Sequence, residues 1–185
     1  MLARLHGSRI AFPAAQADVG ANELQAMIGH VEATLQGLPS GSALLDGISV
    51  TVQRMRKTAR FDQPQPPVPI HGALGWDCIR YGVDGDFYLY RFDSCRLSDP
   101  RLDLGGFLAD LLCFTLATSD LAGYRVCSEA FIRNYNSKAE YPVHEDALQP
   151  YVALALCRRL KPPDTSKSVE ASDHRTLVAA LETVL

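Results

Sequence analysis

The chain has 185 residues, 47% of them apolar or aromatic, with a formal charge of −3 and a sequence pI near 5.9. That length builds one substantial core, or one large lobe of a bigger fold. The mild acidity, with no Lys/Arg run interleaved with aromatics, excludes the electrostatic footprint of a nucleic-acid binder, and no apolar run, Val152 to Leu156 among them, approaches the length that spans a bilayer.

The N-terminus carries no apolar h-region or small-residue cleavage site, so a cytoplasmic protein is expected. The first helical pattern runs over 22–38, where Leu24, Met27, Ile28, Val31 and Leu35 fall at helical spacing and Gly37 and Pro39 close it. A second pattern follows with Leu44, Leu45, Ile48, Val52 and Met55. Arg54, Arg56, Lys57 and Arg60 gather at its C-terminal end, where they complement the helix dipole. After Phe61 the run DQPQPPVP breaks the helix, because proline lacks an N–H and disfavours helical geometry in the residue before it. Residues 1–61 therefore read as helical and 62–69 as a proline-rich connector.

Residues 70–102 read as a loop carrying a β-hairpin. Cys78 to Val83 and Phe87 to Phe92 are short runs rich in aromatic and branched side chains, separated by the turn signal Asp84-Gly85-Asp86. Alternation places Phe87, Leu89 and Arg91 on one face and Tyr88, Tyr90 and Phe92 on the other, so a cation ends an otherwise apolar face. Residues 103–185 read as helical. There Leu104, Phe107, Leu108, Leu111 and Leu112 form a stripe with Asp103 in the first turn, and further helices are expected over 121–135, 145–160 and 173–185. The intervening KPPDTSKSVE reads as a surface loop.

The cysteines, Cys78, Cys95, Cys113, Cys127 and Cys157, are scattered without a CxxC pair or zinc-finger histidines. Reduced thiols are expected, with Cys113 and Cys157 acting as small buried hydrophobes. His6, His30, His144 and His174 stand alone, at no spacing that suits a metal or a nucleophilic triad.

The run Ile70-His71-Gly72-Ala73-Leu74-Gly75-Trp76-Asp77-Cys78-Ile79, followed after the hairpin by Tyr90-Arg91-Phe92-Asp93 and by Asp99-Pro100-Arg101-Leu102-Asp103, resembles the two signature motifs of the aminoglycoside phosphotransferase and choline kinase superfamily. Leu2-Ala3-Arg4-Leu5-His6 is similar to the helix that follows the inter-lobe hinge in these enzymes, so the resemblance covers most of the chain. It implies an α+β, mainly α fold: a protein-kinase-like C-terminal lobe with a small hairpin at a degenerate active-site cleft. On that reading residues 1–185 form this one lobe and the N-terminal nucleotide lobe is absent.

In the family the first motif reads His-Gly-Asp-Leu-His-x-x-Asn. The resemblance implies a catalytic-base Asp at the position of Ala73, and magnesium-binding Asn and Asp at the positions of Cys78 and Arg91. All three are replaced, while the frame matches at His71, Gly72, Asp99, Pro100 and Asp103. His71, Trp76, Asp77, Cys78, Arg91 and Asp93 are the cleft candidates, and Gly72, Asp99 and Asp103 the structural ones.

Phosphoryl transfer needs a carboxylate near the attacking hydroxyl and a divalent metal to offset phosphate charge. Alanine accepts no proton, a thiol is a poor ligand for Mg²⁺, and a guanidinium repels the ion. Three readings follow. The first is a pseudo-phosphotransferase serving as a binding or scaffold module, with no cofactor. The second is a working phosphotransferase acting on an alcohol group, with ATP and Mg²⁺, Asp77 or Asp93 as substitutes and a separate nucleotide lobe. The third is a structural remnant whose cleft is filled by its own side chains. A lobe without its mate also leaves an apolar face for a protein partner, the missing lobe or a second copy. For Arg91 itself the expected use is an internal ion pair with Asp93 or another acid, the other use being a ligand for a phosphate or carboxylate.

Overall fold

The computed structural model describes residues 1–10, 26–29, 31–33, 49–50, 52–53, 66–159, 176, 179–180 and 183. Helix α1 (Leu2–His6) buries Leu2, Ala3 and His6. Residues 26–29, 31–33, 49–50 and 52–53 are helical, inside the two patterns expected there, and Ile28, Val31 and Val52 are buried in the core. The basic cluster from Arg54 to Arg60, the KPPDTSKSVE loop, His30 and His174 lie outside the described residues.

Strand β1 (Val68–Ile70) contradicts the connector at its last two positions, since Val68 and Pro69 belong to a strand. Their partner is β4 (Arg96–Ser98), which periodicity did not reveal, in the antiparallel register Val68↔Ser98, Pro69↔Leu97, Ile70↔Arg96. A two-stranded ladder tolerates this proline because alternate N–H groups face away from the partner. The hairpin β2 (Ile79–Tyr81) and β3 (Phe87–Leu89) pairs Ile79↔Leu89, Arg80↔Tyr88 and Tyr81↔Phe87. Both strands are shorter than the sequence runs. The turn is closed by Gly82 N–H to the Asp86 carbonyl (2.8 Å), with the Tyr88 hydroxyl on Asp84.

Among the described residues three further helices follow: α2 (Arg101–Ala117), α3 (Leu121–Asn136) and α4 (Gln149–Cys157). The start of α2 is set by Asp99, whose Oδ1 accepts from the Arg101 N–H at 2.9 Å, and that of α3 by Asp120, whose side chain accepts from Gly123 N–H at 2.8 Å. α4 begins four residues later than expected and carries Pro150 in its first turn, where the missing N–H costs nothing. The expected stripe of α2 is buried throughout, and α2 packs most extensively against α4 and then against α3. The fold is mainly helical with two small antiparallel sheets. Among the described residues no helix is long and apolar enough to cross a membrane.

All five thiols are free. Cys157 is buried, whereas Cys113 is only half-buried, with the Arg159 side chain beside it. α2 and α4 cross at Gly105, where an added Cβ would lie 2.6 Å from Tyr151 Cβ and 2.7 Å from the Tyr151 carbonyl carbon.

Two predictions rest on this core. Gly105→Ala should lower stability by about 2 kcal/mol, since overpacking against helix backbone forces the helices apart. Gly29→Ala, a helical position with nothing within 4 Å of its Cβ, should instead raise stability by about 0.5–1 kcal/mol in the same urea titration. The second concerns alkaline pH. Burial pushes the Cys157 thiol up from 9.0 to about 12 and the Tyr135 phenol up from 10.0 to about 12. The folded chain therefore holds protons that the unfolded chain releases, so this stabilisation is complete below pH 9 and is lost as the pH rises from 9 toward 12. Urea unfolding across that range should show the decline, and Cys157→Ala should decline less steeply than the parent.

Candidate functional site

The loop between β1 and β2 is held from beneath by one carboxylate. Asp103, in the first turn of α2 and 1% exposed, accepts from His71 N–H at 2.6 Å and from Gly72 N–H at 2.9 Å. Its Oδ2 also lies 3.2 Å from His6 Nε2, whose Nδ1 meets the Tyr135 hydroxyl at 2.8 Å. His6 is thus a member of a buried network joining α1, the loop, α2 and α3, and not the isolated residue that its sequence spacing suggested. His71, fully buried, directs Nε2 to the Tyr90 carbonyl at 2.9 Å and packs its ring on Phe92, while Nδ1 has no partner among the described residues. Gly72 sits at φ 81°, and a Cβ there would collide with the Ser94 carbonyl and the Arg96 guanidinium.

A second support lies at the exit. The Asp99 carboxylate is gripped by Arg101, Nε at 2.9 Å and 3.0 Å and Nη2 at 2.6 Å, and accepts from the Tyr151 hydroxyl on α4 at 2.8 Å. Arg101 is itself buried and lies over the Tyr151 ring at 4.8 Å. A buried guanidinium is tolerable only with its charge and N–H groups answered in this way.

The three positions at which the resemblance implies chemistry are occupied as follows. Ala73 is exposed at the loop surface. Cys78 ends a 3-10 turn (Trp76–Cys78) with its thiol buried and directed to the Ala73 carbonyl at 3.4 Å, and burial pushes that thiol above its ordinary range. Arg91 is not on the strand face that alternation predicted. β3 ends at Leu89, and Arg91 takes a left-handed conformation, φ 65°, that starts a second 3-10 turn (Phe92–Ser94). Its guanidinium pairs with Asp77. This donor set does not suit a magnesium ion: the sulfur is protonated and turned inward, and the carboxylate nearest the metal position already holds a cation. Among the described residues no three His, Cys, Asp or Glu side chains are grouped to hold a metal.

A cavity of about 380 Å³ opens beside the loop, lined by Gly72, Ala73, Gly75 and Asp77, by Gly106 and Asp110 of α2, and by Tyr151, Leu154, Arg158 and Arg159 at and beyond α4. Of the six cleft candidates only Asp77 lines it. His71 and Cys78 are buried behind the loop, Asp93 is exposed in the second 3-10 turn, and Trp76 is 46% exposed against Phe107, ring centroids 4.8 Å apart. Asp110 is a site residue that the sequence reading missed. It accepts from the Trp76 N–H at 3.1 Å and pairs with Arg159, so it joins the loop to the end of α4. The available signal was an acid interrupting the apolar run Leu104 to Phe114.

No protein-family model and no curated protein matches the sequence. Solved structures do. A choline/ethanolamine kinase family protein from Mesorhizobium loti superposes with a TM-score of 0.63 at 18% identity, over 98% of this chain and 60% of that one. A glucosamine kinase superposes with a TM-score of 0.72 at 18% identity, over 100% of this chain and 51% of that one. The chain thus spans between about half and three fifths of the length of these structures. The chain shares the fold of the corresponding part of these kinase structures, mainly helical with small antiparallel sheets, as the resemblance implied.

The conformation of Arg91 is testable. A left-handed non-glycine residue costs about 1 kcal/mol, and an exposed ion pair returns about 0–1 kcal/mol. Arg91→Gly loses both and should stay within about 0.5 kcal/mol of the parent, whereas Arg91→Ala keeps the backbone cost and should fall about 1 kcal/mol below the glycine variant in chemical denaturation.

Proposed function

We propose that the chain is a pseudo-phosphotransferase lobe, a non-catalytic binding or scaffold module built on a phosphotransferase frame. The observation that carries this reading is the state of Cys78 and Arg91: at the positions where the resemblance implies metal ligands, one side chain is closed into the loop and the other is paired with Asp77. Ala73 adds no proton acceptor, and base catalysis commonly contributes about a hundred- to ten-thousand-fold. The open cavity favours a binding module over a structural remnant, because the remnant reading expects the cleft to be filled by its own side chains.

One observation favours a working enzyme, with ATP and Mg²⁺ supplied together with a second lobe. Asp77 lines the cavity and is the carboxylate closest to the lost positions, so it would serve as base or ligand if Arg91 released it. Asp93 has no such standing, since it lies off the cavity.

A thermal-shift titration with ATP and GTP, each with and without Mg²⁺ or Mn²⁺, decides between these, because a ligand that binds only the folded chain raises its melting temperature. The expected result is no metal-dependent shift at millimolar nucleotide. A shift that requires the metal would put the enzyme reading first, and Arg91→Ala should then enlarge it.

A further inference from the structure

Charge is distributed unevenly around the cavity. Two aspartates, Asp77 and Asp110, line it together with three arginines, Arg96, Arg158 and Arg159. Each carboxylate is already held by a guanidinium, Asp77 by Arg91 and Asp110 by Arg159. Neither offers an uncompensated negative charge to a ligand. Arg158, immediately after the last residue of α4, is exposed and makes no side-chain ion pair or hydrogen bond among the described residues. Met27, Leu74, Leu102, Leu154 and Ala155 add apolar side chains to the wall.

A guanidinium at the mouth of a partly apolar cavity meets a carboxylate or phosphate with two parallel hydrogen bonds. An ammonium entering the same space would face that guanidinium and find both carboxylates engaged. A volume of about 380 Å³ lies at the small end of small-molecule sites, enough for a compact ligand. We propose that the cavity binds a small organic anion, a carboxylate or phosphate monoester on a compact apolar body, with Arg158 as its principal charge contact and no divalent metal. This deepens the reading of a non-catalytic binding module and rests on it.

The test uses three ligands with similar ring bodies and different heads: phenyl phosphate, benzoate and benzylamine, titrated into the full chain by calorimetry in the presence of EDTA. At least one anion is expected to bind while benzylamine does not, and the stronger of the two anions identifies the head group. Arg158→Ala should weaken that anion about tenfold, the range for one hydrogen-bonded charge contact. Because Arg158 is exposed and unpaired among the described residues, the variant should melt with the parent, so a weakened titration reports binding and not unfolding. Benzylamine binding as tightly as the anions would overturn the proposal, as would an unchanged anion affinity in Arg158→Ala. Binding of neither anion would also overturn it while leaving the non-catalytic reading intact, whereas metal-dependent nucleotide binding in the thermal-shift titration would strike at that reading alone.

Discussion

A buried carboxylate must have its lone pairs answered, and a loop that turns its amides inward must find acceptors for them. Asp103 meets both requirements at once. Its two oxygens take the His71 and Gly72 N–H groups, and the same side chain meets His6, which continues to Tyr135. Position in space follows from this one group: the loop cannot shift without orphaning the carboxylate, and α1 cannot leave without opening the network. Losing a single member strands the others in a low-dielectric interior, where each unpaired polar group is expensive.

The Asp99, Arg101 and Tyr151 cluster does the corresponding work at the other end of the motif. It ties the entrance of α2 to α4, beside the crossing at which Gly105 lets the two helices touch. Between them these clusters answer most of the buried polar groups of the frame from within the chain, His71 Nδ1 excepted. Ala73 and Cys78 lie on the loop and Arg91 follows the hairpin, and none of the three belongs to the Asp103 or Asp99 clusters that hold the frame. Fold and function separate along this line, and the fold by itself fixes neither substrate nor turnover.

The loop surface has its own logic. The left-handed Arg91 is a local cost accepted where the chain leaves the hairpin, and its guanidinium reaches Asp77 across the turn. Asp110 and Arg159 make a second pair across the cavity. Both acids of the cavity wall are therefore balanced internally, a different electrostatic surface from one built to hold a metal ion.

The sequence by itself determined what depends on neighbours along the chain. Helical spacing placed the α2 stripe, the Asp-Gly turn placed the hairpin, strand alternation singled out Arg91, and the resemblance to the family motifs implied Gly72, Asp99 and Asp103 as frame. Side-chain period and turn chemistry are local, so these could be read directly. Only the tertiary structure decided which acid Arg91 would meet, that Val68 to Ile70 would pair with Arg96 to Ser98, and that Asp110 and Arg159 would share a cavity wall. The clearest case is His6, solitary in the sequence, whose partners lie 97 and 129 residues away. Contacts at such separation are set by how helices pack, and packing depends on the fit of whole faces, which no local pattern in the chain records.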